Sequence, residues 1–302
     1  MLHTTVVIAS HNRRRTLLRY LPEHRAPVIL VDNGSEDGTA AAVAARFPDV
    51  RIARLPDNIG AAARNIGASM ATTPYVAFAD DDSYWEGDSL RAAEDLFGAY
   101  PRAALLTAQI RVGPEVRLDP VSAYMGTAPL GAPADLPGPA VLGFLACAAV
   151  VRREAFLAAG GFAPKLHVYG EEALLALDHA APGWGLSYVP GLWVRHLPAR
   201  GGRDPVARAR QEVRNRLLTT WLRRPAGLGL RAATRALADP AQRPGLVAAL
   251  RELPWVVRER HALPPAVEAD VAALERASAG YEAELAARAG RADAEAAVGV
   301  GS

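Results

Sequence analysis

Val28-Ile29-Leu30-Val31-Asp32-Asn33-Gly34-Ser35 decides how the chain is read. The four apolar residues, three of them β-branched, predict a buried strand. That strand runs directly into a short polar cluster, and Asp37 to Phe47 predicts a helix opening at an acidic cap. Moving outward, Thr4 to Ser10 is a second β-branched run, followed by a helix-like stretch from Arg14 to Leu21. On the other side, Val50 to Leu55 alternates as a strand, Ile59 to Met70 is an Ala-rich helix, and Tyr75 to Phe78 is again a strand. Strict alternation of strand and helix means right-handed βαβ units and an α/β fold with a mostly parallel sheet. Such sheets bind ligands at the carboxyl ends of their strands.

Those ends collect the polar residues. The first strand ends in Ser10-His11-Asn12, the second in Asp32-Asn33-Gly34-Ser35, and the later one in Asp80-Asp81-Asp82. Each cluster alone also suits a helix cap or turn, but three at neighbouring strand ends point to one contiguous site. Three adjacent carboxylates repel one another, and a cation offsets that cost. Hard divalent ions take oxygen ligands, and Mg²⁺ is typically bound by one or two carboxylates together with substrate phosphates. A solvated acidic turn is the competing interpretation of Asp80 to Asp82.

The remainder is read more coarsely. Residues 113 to 140 are rich in Pro and Gly and predict a long loop beside the site. A strand and helix follow over Gly143 to Ala159, then a helix over Glu171 to Asp178 and a strand over Leu186 to Val194. Helices are expected over Ala207 to Leu222, Leu228 to Ala238, Gly245 to His261 and Pro265 to Ala287. We expect a main domain over 1–225, a helical appendage over 226–287 and a disordered tail over 288–302. Gly227-Leu228-Gly229 loosely fits a dinucleotide loop, but no strand precedes it, so it is read as a coincidence within a helix. Glu171-Glu172 after Gly170 suit a helix N-terminus on spacing alone, and a lone His196 ending a strand is more often structural than a ligand.

Composition narrows the function. Lys and Arg total 34 against 32 Asp and Glu, so no global field points to nucleic acid. The single cysteine, Cys147, cannot form an internal disulfide, which fits a reducing compartment. The N-terminus reads directly as a strand, without the pattern of a signal peptide, and a cytoplasmic enzyme is expected. The longest apolar run, Ala140 to Val151, is interrupted by Gly143 and falls short of the ~20 residues of a membrane span. At most, peripheral membrane contact through the C-terminal helices is expected.

Taken together, these motifs resemble the family-two glycosyltransferases with the GT-A, Rossmann-like fold. Val6 to Arg13 is similar to the opening strand and turn, Val28 to Thr39 to the second motif, and Asn58 to Gly67 to the segment along the donor. Asp80-Asp81-Asp82, Arg152-Arg153, Gly160-Gly161-Phe162, Gly170-Glu171-Glu172 and Val194-Arg195-His196 follow in the family's order. The resemblance implies a nucleotide-diphosphate sugar donor and inverting transfer of one sugar to an acceptor hydroxyl of unknown identity. By position, Ser10 and Asp32 would contact base and ribose, and Arg64 and Asp80 the nucleotide. Asn12, Asn33, Asp81 and Arg214 would complete the donor set. Asp82 and His196 would hold Mn²⁺ or Mg²⁺. Glu172 would deprotonate the acceptor, with Glu171 as the other candidate base.

There are departures from the family. Ala173-Leu174-Leu175 follows the acidic pair where Asp-Leu is frequent, and Gln211 to Asn215 reads QEVRN rather than the Gln-x-x-Arg-Trp of processive synthases. A nucleotidyltransferase would share the sheet and metal but needs a Gly-rich phosphate loop, which Ser10 to Arg13 lacks. A catalytically silent nucleotide-sugar or glycan binder is the third possibility. Leu197 to Arg210, with Gly201-Gly202 and several arginines, is expected to be a lid over the diphosphate; a basic linker is the alternative.

Overall fold

The computed structural model describes residues 2–198 and 204–281. The elements run β1 (Thr4–Ser10), α1 (Arg14–Tyr20), β2 (Val28–Asn33), α2 (Thr39–Arg46), β3 (Arg51–Leu55), α3 (Ala63–Met70) and β4 (Tyr75–Ala79). Then come β5 (Ser83–Trp85), α4 (Ser89–Ala99), β6 (Ala103–Val112), β7 (Arg117–Leu118), α5 (Pro120–Gly126), β8 (Ala149–Arg152) and α6 (Arg153–Ala158). The chain continues through α7 (Glu171–Ala180), β9 (Gly185–His196), α8 (Pro205–Arg223), α9 (Ala226–Ala238), α10 (Arg243–Leu250) and α11 (Leu253–Glu259). A last helical stretch covers residues 265–281.

One sheet carries the fold, in the order β3-β2-β1-β4-β8-β6-β9-β5, with β7 added to β6. The half from β3 to β4 is parallel, as the βαβ pattern predicts. Beyond it the sheet is mixed: β8 is antiparallel to both β4 and β6, β9 parallel to β6, and β5 antiparallel to β9. Alternate residues feed opposite cores. Val6, Ile8, Val28 and Leu30 pack on one face, and Val7, Ile29, Val31 and Phe78 on the other. Helix α3 lies close to the second face because Gly67 has no side chain: a Cβ there would sit 2.3 Å from Val7 Cγ1.

A third core joins the C-terminal helices to the segment before α7. Leu217, Leu218 and Leu222 of α8 pack with Leu246 of α10, Val256 of α11, and Leu166 and Leu174. Gly227 and Gly229 lie inside α9, and a Cβ at Gly229 would sit 2.9 Å from Trp221, so packing explains that glycine. No described helix is long and apolar enough to cross a membrane.

Several expectations change. The loop over 113–140 contains β7 and α5, the latter started by Asp119, whose side chain accepts from Val121 N–H and Ser122 N–H. The single helix expected over Gly245 to His261 is two, α10 and α11. Pro254 has no N–H to donate and its ring crowds the preceding turn, so a new helix starts there. The lid expected over Leu197 to Arg210 changes in its second half: Pro205 to Arg210 opens α8, capped by Asp204, whose side chain accepts from Val206 N–H and Ala207 N–H. Residues 199–203 and the tail over 288–302 lie outside the described residues.

Candidate active site

Strand register brings the first clusters together. Ser10 pairs with Asp32 across β1 and β2, and β4 ends at Ala79, opposite Ile8, so the acidic run emerges beside Ala9 and Ser10, with Asp81 at the level of Ser10. Ser10 is buried and donates its hydroxyl to Asp81 Oδ2 at 3.1 Å, while Arg13 Nε stands 3.8 Å from Asp81 Oδ1. Burial first, and the charges of Asp82 and Asp80 second, push the Asp81 carboxyl up to about 7. Asp32, also buried, accepts from Ser35 N–H at 3.2 Å and faces Arg54 Nε at 4.0 Å.

The two asparagines brace loops. Asn33 donates to Asn58 Oδ1 and the Gly60 carbonyl and accepts from Ile59 N–H, which fixes the turn leading to α3. Asn12, at φ 54°, accepts from Glu36 N–H, and its own N–H donates to Ser35 Oγ. Each thereby fixes a loop beside the strand ends that carry Ser10 and Asp32.

The acidic run is completed from across the sheet. β5 pairs antiparallel with β9 so that Ser83 lies opposite His196, and Leu197 N–H donates to the Asp82 carbonyl at 2.8 Å. This pairing sets His196 Nε2 3.3 Å from Asp82 Oδ1. Burial opposes charge on both groups, but their mutual attraction wins, so the Asp82 carboxyl is lowered and the His196 imidazole raised. Ligand atoms of Asp80, Asp82 and His196 all lie within 4.8 Å of one another. Two carboxylates and an imidazole with open positions suit a divalent cation such as Mn²⁺ or Mg²⁺. On chemistry and spacing, these residues fit the metal that the sequence implies.

Arg64 of α3 connects the metal cluster with the acidic pair of α7. Its Nη2 donates to Asp80 Oδ1 at 2.5 Å, and its guanidinium lies 5.8 Å from the centre of the Phe162 ring. Burial disfavours its charge, but Asp80, Glu171 and Glu172 together raise its pKa. Gly170 caps α7 at φ 94°, and Glu171 and Glu172 form its first turn. Glu171 is only 5% exposed and its Oε2 has no partner; burial and then Glu172 push its pKa up to about 8. Glu172 is half-buried, receives a backbone hydrogen bond from Ala146, and is raised chiefly by burial.

Arg214 stands apart from this cluster. Its guanidinium donates to the Lys165 carbonyl, Asn215 Oδ1 and Glu252 Oε1. With Lys165, His167, Tyr169, Arg208 and Gln211 it lines a second cleft of about 500 Å³. Sequence reasoning gave His167 and Asn215 no role, yet His167 lies in the segment entering α7 and Asn215 donates to that segment's carbonyls. The signal available was the QEVRN stretch itself, which departs from the family at Asn215.

The sequence pattern described as glycosyl transferase family 2 matches residues 5–158. The chain belongs to this family. It is a glycosyltransferase, and the nucleotidyltransferase alternative falls. An N-acetylglucosaminyl-diphospho-decaprenol L-rhamnosyltransferase of Mycobacterium tuberculosis is 31% identical over 219 residues, covering 61% of this chain and 71% of the relative. A mannosyltransferase from Pyrobaculum calidifontis, solved in complex with GDP-Man and Mn2+, superposes with a TM-score of 0.56 at 22% identity, over 96% of this chain and 80% of that one. S. aureus TarS 1-349 in complex with UDP-GlcNAc gives 0.54 at 16% identity, over 72% and 66% of the two chains. These likenesses speak for the fold, which is GT-A.

Proposed function

We propose that this glycosyltransferase moves one sugar from a nucleotide-diphosphate donor to an acceptor hydroxyl, with inversion and with a divalent metal. The observation that carries the proposal is the Asp80, Asp82 and His196 cluster, with ligand atoms within 4.8 Å, at the carboxyl ends of the parallel strands. In this reading Ser10, Asp32 and Arg13 line the nucleotide side, and Arg64 ties Asp80 to the acidic pair. A cation held by Asp82 and His196, with Asp80 beside them, supplies Lewis-acid compensation for charge on the leaving diphosphate.

Glu172 is the base in this reading. Burial pushes both carboxyls up, Glu171 to about 8 with its Oε2 unpartnered, but only Glu172 has a backbone hydrogen bond from Ala146 that supports its carboxylate form. Glu172 would take the acceptor's proton as the new glycosidic bond forms, and the nucleoside diphosphate leaves from the opposite side. A single in-line displacement of this kind inverts the anomeric carbon. The Mycobacterium relative's name supports a lipid-linked sugar as one acceptor class to test. The neighbours solved with GDP-Man and UDP-GlcNAc support a nucleotide-sugar donor. The division near residue 225 and a cytoplasmic setting, to which the unpaired Cys147 lends support, belong to the same proposal.

The test is a thermal-shift panel of UDP, GDP and dTDP with and without Mn²⁺, followed by nucleoside diphosphate release from the matching sugars. A nucleotide shift that needs Mn²⁺ is expected. Binding that ignores Mn²⁺ and persists under chelator contradicts the metal assignment.

A further inference from the structure

The segment before the acidic pair is strained. His167 sits at φ 61°, ψ −82°, Tyr169 at φ 69° and Gly170 at φ 94°. Two residues with side chains thus occupy backbone regions that only glycine enters readily, immediately ahead of Glu171. Such a conformation persists only where the surroundings fix it.

Asn215 of α8 supplies much of that fixing. It is fully buried, and its Nδ2 donates to the carbonyls of Leu166, Val168 and Tyr169 at 2.8, 2.9 and 2.9 Å. An amide has two N–H groups, so they are shared among three acceptors. Its Oδ1 accepts from Arg214 Nη1 at 2.8 Å, which fixes which way the amide faces. Gln211 adds a bond to the Leu166 carbonyl and Arg214 one to the Lys165 carbonyl. Arg214 is itself anchored on Glu252, at the start of α11. The held segment also touches the lead into α3: Ala61 N–H donates to the His167 carbonyl at 2.7 Å, two residues before the helix that carries Arg64. A Cβ on Gly60 would sit 2.4 Å from that carbonyl, so the approach is close.

We propose that Asn215 is a positioning residue for the transfer reaction. From the C-terminal helices it holds residues 166–170 in the turn that aims α7, and so Glu172, into the cleft. The inference rests on reading Glu172 as the base. It also explains a fully buried amide whose Nδ2 bonds all go to one backbone segment and whose Oδ1 accepts from Arg214 and Gln211. Nothing in the arrangement needs Asn215 to touch donor or metal, because Asp80, Asp82 and His196 stand on other elements.

The experiment compares wild type and Asn215→Ala for nucleoside diphosphate release from a panel of UDP-, GDP- and dTDP-sugars. Hydrogen exchange is followed over 165–172. Misplacement of a reacting group by about 1 Å costs on the order of 10²-fold in rate. A kcat loss of that order is expected, with donor KM and the Mn²⁺-dependent nucleotide shift retained, together with faster exchange in the turn. Tyr169→Gly added to Asn215→Ala should restore part of kcat, because glycine enters positive φ without strain. Unchanged kcat and exchange in Asn215→Ala overturn the proposal, and so does an equal loss of nucleotide binding or a lack of rescue by Tyr169→Gly. If Asn215→Ala does not fold, Gly170→Ala strains the same turn with Asn215 intact, and it should lower kcat at constant KM; no change there also overturns it. If the wild type releases no nucleotide from any of these sugars, the donor reading under the proposed function fails, not the role of Asn215. If wild type is active and Glu172→Gln keeps full kcat, the base assignment fails first.

Discussion

His196 Nε2 lies 3.3 Å from Asp82 Oδ1, and each draws the other toward its charged form. The contact exists because β5 and β9 pair antiparallel, so a residue 114 positions later in the chain faces Asp82 across two strand ends. The two side chains pair with each other, and a metal ligand must be an unprotonated imidazole, so a cation would replace that attraction. Asp82→Asn should remove the Mn²⁺ dependence of UDP or GDP binding while leaving the unfolding temperature within a few degrees of wild type. Thermal shift with and without MnCl₂ checks both halves. A Mn²⁺ effect that survives the substitution sinks the assignment of Asp82.

Glu172→Gln keeps the shape and the bond from Ala146 but cannot accept a proton. A positioned general base is worth ~10² to 10⁴ in rate. The expected outcome is a kcat loss in that range with donor KM nearly unchanged, since the interaction is lost only on the way to the transition state. Steady-state kinetics of Glu172→Gln beside Glu171→Gln decide the assignment: the larger kcat loss should fall on Glu172.

Glu171 gives a prediction about stability. Its folded pKa is raised to about 8 from an ordinary 4.5, so between those values the folded state holds a proton that the unfolded chain has released. Stability from this group is therefore present below the unfolded value and is lost as pH rises toward 8. Glu171→Gln should remove that loss. The variant's unfolding temperature relative to wild type should climb from pH 5 to pH 8, by roughly 2–4 °C for each kcal/mol recovered. A flat difference across that range contradicts a buried, protonated Glu171.

Much of this was legible in the chain. The buried runs at Val6 to Ile8, Val28 to Val31 and Val76 to Phe78 alternate with short helices, and strand ends are where polar residues must gather, so the parallel half of the sheet and the place of Ser10, Asp32 and Asp80 followed from local pattern. The mixed half did not. α4 and β6 went unassigned, and Pro254 was passed over inside an apolar helical pattern. α5 was hidden because Pro120 and Gly126 look like loop residues, although Asp119-Pro120 is a helix start. Arg64 and Asn215 could not be understood from spacing at all. Their roles depend on partners across the fold, Asp80 and Glu171 for one and the Leu166, Val168 and Tyr169 carbonyls for the other.

Gly67 tests the packing of α3 on the sheet. A methyl group there would meet Val7 Cγ1 at 2.3 Å and Val31 Cγ2 at 3.2 Å, two fully buried side chains that cannot turn away. Overpacking of this kind costs about 1–3 kcal/mol, so Gly67→Ala should lower the denaturant midpoint at an unchanged slope. Equal stability would mean that α3 is free to shift outward.

Arg64 acts on Asp80, Glu171 and Glu172 together. In both glutamates its charge pulls the pKa down against burial, which pushes it up. Arg64→Gln keeps a hydrogen-bonding side chain of similar length but removes the positive charge, so the glutamates should bind protons more tightly. If Glu172 must be ionised to accept the acceptor's proton, the acid limb of the kcat/KM profile should move to higher pH by about one pH unit, the lower end for loss of a neighbouring opposite charge. Activity beyond that limb, on the alkaline side, should be less affected. Asp80 loses its partner at the same time, so some weakening of nucleotide binding is expected as well, but that lowers the whole profile without displacing its acid limb. The pH profile separates the two effects. An acid limb that stays in place while activity falls uniformly would leave Arg64 a donor-side residue with no hold on the base.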